Sequence, residues 1–162
     1  MSSSTSRPKC LAGAVRSAQT LGLTHPPSAI MAQPTKYWRI NFASIADFDR
    51  MLAEGILICP TTGLRSLKYD PEDCIARRMK KGEGIFLGKL DEDTGKAHIQ
   101  AIGVIQDQKP ATTVRWKRIS KTVFPNPQGG VPPWRERCFL FDGSRAEAYN
   151  FAAEFELHFS DA

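Results

Sequence analysis

Residues 84–107 read "GIFLGKL", then "DEDTGK", then "AHIQAIGVIQD": two apolar-rich runs separated by a short acidic turn that holds a glycine. Runs of this kind around turn residues specify a β-hairpin, the feature that most restricts the fold. A third stretch, "TTVRWKRI" (Thr112 to Ile119), alternates with period two. Val114, Trp116 and Arg118 share one face and Arg115 and Lys117 the other. "KYWRINF" (Lys36 to Phe42), with its aromatic and branched residues, predicts a first strand, and "RCFLF" (residues 137–141) a last one. "ILIC" before Pro60 reads as a short strand or as buried chain.

Three helices are expected among these strands. In "SIADFDRMLAEG", Ser44 is placed to cap the helix with Asp47 three residues on. Ile45, Phe48, Met51 and Leu52 fall on one face, and Gly55 suits the left-handed C-terminal position. In "DPEDCIARRMKKG", Asp70 caps, Pro71 takes the first helical position and Gly82 closes. Glu72 and Asp73 favour the N-terminal end of the helix dipole, and Arg77, Arg78, Lys80 and Lys81 the C-terminal end. "SRAEAYNFAAEFELHF" opens with a capping box, Ser144 with Glu147, and puts Ala148, Phe151, Ala152 and Phe155 at helical spacing. "FPNPQGGVPPW" is a loop that continues neither helix nor central strand. The sum is an α+β fold with a strongly curved, mostly antiparallel sheet.

Charge narrows the function classes. The net charge of +5 originates at the N-terminus: no Asp or Glu precedes Asp47, whereas Arg7, Lys9, Arg16, Lys36 and Arg39 do. The rest of the chain is neutral, so a nucleic-acid contact by the body must use a local patch. The first thirty residues, rich in Ser, Ala and Thr and free of acids, bury little apolar surface. Residues 1–33 are therefore expected to be disordered, and residues 34–162 to form a single domain. An over-long start, with Met31 as the natural first residue, explains the segment equally well. The acid-free, Arg-bearing composition also fits mitochondrial targeting as the minor alternative to a cytoplasmic location. No apolar run reaches the length of a membrane span. Cys10, Cys59, Cys74 and Cys138, with three scattered histidines, lack zinc-ligand spacing, so no metal or other cofactor is expected and reduced thiols are the simpler reading.

"MKKGEGIFLGK" (Met79 to Lys89) has the glycines and lysines of a phosphate loop, but in the wrong order. A phosphate loop follows a strand and opens a helix, whereas here a helix precedes and a strand follows. Gly82 and Gly84 are assigned to a helix stop and a turn.

Three segments taken in order resemble a known family. "YWRINF" ahead of a capped helix, "TGLRS" (Thr62 to Ser66), and "MKKGEGIFLG" leading into "IQAIGVIQD" are similar to the EVE domain of the PUA-like superfamily. "VRWKRI" fits the strand that follows, so the resemblance spans roughly residues 36–121. It departs at Asn41, Phe42 and Ala43, where the family has Lys-Ser-Glu, and at Ser66, where the family has Asn. The resemblance implies a PUA-like curved β-barrel with flanking helices, and binding of RNA or DNA through a modified or flipped base held in an aromatic pocket.

Trp38, Trp116 and Trp134 are the candidate walls of such a pocket, since extracting a base loses stacking that aromatic contacts can return. Trp38 matches the family's tryptophan, although a first-strand tryptophan is equally a core residue. Alternation likewise makes Trp116 a core residue with cations on either side. Trp134, following two prolines in a loop, is a ligand contact or a plug for one end of the barrel. Arg65 and Ser66 lie on the family's turn, where a guanidinium and a hydroxyl can hold a phosphate or a base edge. Asn41 offers a donor and an acceptor. Arg115, Lys117, Arg118 and Lys121 form the dense basic run suited to a nucleic-acid backbone. A non-enzymatic nucleic-acid module is the expected function. The alternatives are a PUA-like enzyme acting on RNA or nucleosides, for which no catalytic constellation is present, and a protein-interaction module using the Pro-rich loop.

Overall fold

The computed structural model of the chain describes residues 32–60, 69–126, 128 and 130–160. The expectations for residues 1–31 and for the turn carrying Arg65 and Ser66 lie outside these residues. The first strand, Lys36–Ile40 (β1), leads to a helix at Ile45–Glu54 (α1). The chain resumes with Pro71–Asp73 (α2), which continues as a wider helical turn at Cys74–Arg78. Three strands then follow, Gly84–Asp91 (β2), Lys96–Asp107 (β3) and Thr113–Val123 (β4). The C-terminal part holds Pro132–Arg135 (α3), Cys138–Asp142 (β5), Gly143–Ala148 (α4) and Phe151–Phe159 (α5).

The predicted hairpin is β2 and β3, and β4 returns antiparallel along β3. Asp91 shapes the hairpin turn, its carboxylate accepting from the Asp93 amide (3.0 Å) and the Thr94 hydroxyl (2.8 Å). The five strands form one mixed sheet in the order β4-β3-β2-β1-β5. β1 runs parallel to β2 and antiparallel to β5. Parallel pairing follows from the long connection through α1 and α2, since only a crossover brings two consecutive strands side by side in the same direction.

The sheet corrects the expected barrel: it is open, with β4 and β5 as its two edges. The start of β4 is met by the chain leaving α1 rather than by β5. Val114 donates to the Gly55 carbonyl (2.8 Å), Leu57 to that of Thr112 (3.0 Å), and Ile56 bridges Thr113. "ILIC" is thus a single bridge followed by irregular chain.

Local chemistry explains α1. The Ser44 hydroxyl accepts from the Asp47 amide (3.1 Å), and Gly55 ends the helix at φ 64°. Phe48 and Met51 are buried as expected, but Ile45 is 63% exposed. Phe42, buried with its ring 5.0 Å from Phe48, fills the neighbouring core position instead.

The two later helices differ from expectation. Asp70 caps α2 and Pro71 opens it, but the helix widens so that the Met79 amide reaches the Cys74 carbonyl (2.8 Å) and the chain becomes extended at Met79. Glu83 then folds back, its carboxylate accepting from the Lys80 amide (2.9 Å), so the helix stops before Gly82. At the C-terminus the continuous helix is two, divided by Asn150 in the left-handed region (φ 54°). Asp142 holds the N-cap position of α4 and the Ser144–Glu147 capping box does not form. The break lets Tyr149 and Phe151 both face the core, where they stack at 5.3 Å. A straight helix would point residues two apart in nearly opposite directions. Ala148 and Ala152 are left exposed.

Each face of the sheet carries its own core. Cross-strand partners place Leu140, Trp38, Ile85, Gly103 and Trp116 in one row on one face, the side of α1 and of residues 69–79. The adjacent rows, Phe141–Tyr37–Gly84–Val104–Arg115 and Phe139–Arg39–Phe86–Ile102–Lys117, belong to the opposite face, against α3 and α5.

Candidate nucleic-acid interface

Trp38 lies in the middle of β1 and is 2% exposed. Its indole N–H donates to Glu83 Oε2 (2.7 Å), the same oxygen that accepts from the Lys80 amide (2.9 Å). The fold-back that ends the second helical segment therefore also fixes the indole. Tyr69, just ahead of the Asp70 cap, sets its ring edge-on to Trp38 (5.8 Å, 89°) and to Phe139 (5.5 Å, 77°). The exposed Arg78 holds its guanidinium 4.6 Å from the Tyr69 ring centre and 5.8 Å from that of Trp38. Two aromatic rings at right angles, a carboxylate and a guanidinium thus meet at one corner. Glu83 Oε1 makes no hydrogen bond among the described residues.

The three tryptophans do not line one cavity. Trp116 shares the Trp38 face but stands three strands away, about 14 Å at ordinary strand spacing. That separation is too wide for both rings to sandwich one base. Trp116 is half-buried, donates to the Ile56 carbonyl (3.0 Å) and packs over Gly103, where a Cβ would come within 2.8 Å of its ring. Trp134 lies on the opposite face, 1% exposed among Phe86, Phe141 and Tyr149, with its N–H donating to the Tyr149 hydroxyl (3.1 Å). It anchors the Pro-rich loop to the core and is neither a loop-borne ligand contact nor a barrel plug.

The basic run divides likewise. Arg118, on the Trp38 face, pairs with Asp49 (2.8 Å) and covers Phe48. Lys121 pairs with Glu154 of α5, which also contacts His158 (3.2 Å). Arg115 and Lys117 flank Phe159 on the α5 face, 4.9 and 5.4 Å from its ring centre. Asn41 continues β1 by donating its amide to the Arg137 carbonyl (2.9 Å), and its buried Oδ1 has no hydrogen-bond partner among the described residues. Arg65 and Ser66 lie outside the described residues.

Sequence reasoning missed Tyr69, Arg78 and Glu83 as partners of Trp38, and missed the burial of Arg39. Arg39 is 0% exposed and donates to the carbonyls of Gly88 (3.4 Å), Pro133 (3.4 Å), Trp134 and Glu136. Burial lowers its guanidinium to about 10, which leaves it charged at neutral pH. An arginine inside the apolar run "KYWRINF" was the available signal.

Cys74 and Cys138 are buried with their side chains hydrogen-bonded. The bond to Cys74 and then burial push the Cys138 thiol up, whereas the same bond holds the Cys74 thiol below its ordinary value against burial. Among the described residues, no group of three or more His, Cys, Asp or Glu is placed to hold a metal ion, and no helix is long and apolar enough to cross a membrane. Comparison of the chain with family models, with curated proteins and with solved structures gives no match in any of the three.

Proposed function

We propose that the protein is a nucleic-acid-binding module of EVE-like, PUA-related descent, which accepts an unstacked base at the corner formed by Trp38 and Tyr69. The observation that carries this reading is the perpendicular pair of rings with the Arg78 guanidinium over both. Aromatic faces contribute about 1–3 kcal/mol per stacked base, and a guanidinium beside them adds attraction for phosphate and for base acceptors. Trp38 and Tyr69 are both nearly covered, so entry of a base requires the corner to open.

Lys117, beside Phe159 on β4, suits the strand backbone where it passes around the β4 edge, while Arg118 and Lys121 serve acids of α1 and α5. The test is titration with modified and unmodified single-stranded RNA and DNA at low salt, read by fluorescence anisotropy. Saturable binding weakened by Tyr69→Ala and by Arg78→Ala is expected. Absence of saturable binding to all of these oligonucleotides rejects the reading.

A further inference from the structure

We propose that Cys74 and Cys138 form a modification site, joined by a small hydroperoxide into a disulfide that fastens residues 69–79 to β5. Both thiols are free and both side chains are 0% exposed. Alternation along β5 puts Cys138 on the same face as Leu140, two residues on, which is the face covered by residues 69–79. Cys74 is the buried residue of the wider helical turn on that side. Its backbone is held at both ends: the amide donates to the Asp70 carbonyl (2.9 Å) and the carbonyl accepts from the Met79 amide (2.8 Å). The two side chains meet there, hydrogen-bonded to each other. Sulfurs that bond at about 2.0 Å must first be aimed at one another, and this contact supplies that approach.

The surroundings divide the roles. The bond from Cys138 holds the Cys74 thiol low against burial, and the Arg78 guanidinium acts in the same sense. Cys74 is therefore the nucleophile, and Cys138, which keeps its proton, is the resolving thiol. The Cys74 thiolate attacks one oxygen of hydrogen peroxide and the O–O bond breaks. Hydroxide leaves and takes up the proton that Cys74 released, which gives a sulfenic acid and one water. The Cys138 sulfur then attacks the Cys74 sulfur, the S–O bond breaks, and the departing hydroxide takes the Cys138 proton as a second water. The two sulfurs together lose two electrons and the peroxide gains them. Full burial restricts the oxidant to a molecule of about the size of water, which excludes bulky disulfides. Cys59 is the internal control: it is half-buried, burial raises its thiol, and its sulfur faces the Pro60 carbonyl (4.0 Å). The bond forms whether or not the protein binds nucleic acid.

The test treats the full chain with hydrogen peroxide, removes the excess with catalase, alkylates free thiols during unfolding and maps peptides without reduction. The expected product links the Cys74 peptide to the Cys138 peptide and leaves Cys59 alkylated. Its thermal midpoint rises by about 10 °C, because the bond closes a long loop holding β2, β3, β4 and α3, and dithiothreitol reverses the rise. Amide exchange in residues 69–79 slows on oxidation of the wild type and not of Cys138→Ala. Cys74→Ala replaces that variant if it folds poorly, and the wild-type peptide map decides without either. A link between any other pair of cysteines overturns the assignment. So does Cys74 carried on to its sulfinic acid with Cys138 alkylated, or both thiols alkylated after treatment. A linked product with a lower midpoint overturns the fastening role.

Discussion

Arg39 grips Trp134 twice: its guanidinium donates to the Trp134 carbonyl and lies 5.8 Å from the centre of the Trp134 indole. Three further carbonyls, those of Gly88, Pro133 and Glu136, complete its shell. One side chain thus ties the Pro-rich loop to the sheet, and charge-assisted hydrogen bonds are the stronger kind.

Arg39→Met is expected to lose about 3 kcal/mol or more, because four carbonyls lose their donor at once. Arg39→Lys recovers little, since an ammonium lacks the planar fork that reaches carbonyls on separate segments. Urea unfolding followed by far-UV circular dichroism measures both variants.

Gly84→Ala tests the fit between β2 and α5. A Cβ there would sit 2.6 Å from Tyr37 Cδ1 and 2.9 Å from Phe155 Cε1. Overpacking of this kind costs about 1–3 kcal/mol. The expected result is a lower thermal midpoint, whereas Gly95→Ala, where the added carbon meets nothing, suffers only backbone strain (φ 66°).

Two phenols make stability fall in alkali. Burial raises Tyr37 above 10.0, and burial raises Tyr149 against the opposing hydrogen bond from Trp134. A raised folded value means that the native state keeps protons the unfolded chain releases. This stabilisation is complete below about pH 10 and is lost as the pH climbs through the folded values. Arg39, lowered to about 10, acts in the opposite sense above that value, so the phenols are best read alone. Phenolate absorbance should appear later in native protein than in denaturant, and Tyr149→Phe should remove part of the delay.

The basic residues of β4 separate by salt dependence. Lys117→Ala should make the plot of log affinity against log salt shallower by about 0.7, the contribution of one phosphate contact on a single strand. Lys121→Ala should leave that slope unchanged and lower the thermal midpoint, because Lys121 serves Glu154 on α5. Equal slopes for both variants would remove Lys117 from the interface.

The parts of the fold legible in the sequence are those written in adjacent residues. Ser44, Asp47 and Gly55 mark α1 within a dozen positions, and the acidic turn fixes the hairpin between its two apolar runs. Asn150 was not legible as a break, since its left-handed backbone is dictated by the need to bury both Tyr149 and Phe151. That the sheet stays open also depends on distant contacts, here the meeting of Gly55 and Leu57 with the start of β4. Trp38 was identifiable as a site candidate, but its setting comes from Tyr69, Arg78 and Glu83, up to 45 positions away. Alternation correctly divided Trp116 and Arg118 from Arg115 and Lys117, yet period two cannot say which helix waits on either side.

The position of β1 has a consequence for biosynthesis. Its neighbours on the two sides are β2 and β5, so Lys36 near the beginning must meet Asp142 near the end. A nascent polypeptide that has left the ribosome only as far as β4 can form the three-stranded meander but leaves β1 with one open flank. Such long-range pairing slows folding, and the second flank of β1 stays open until Cys138–Asp142 emerges.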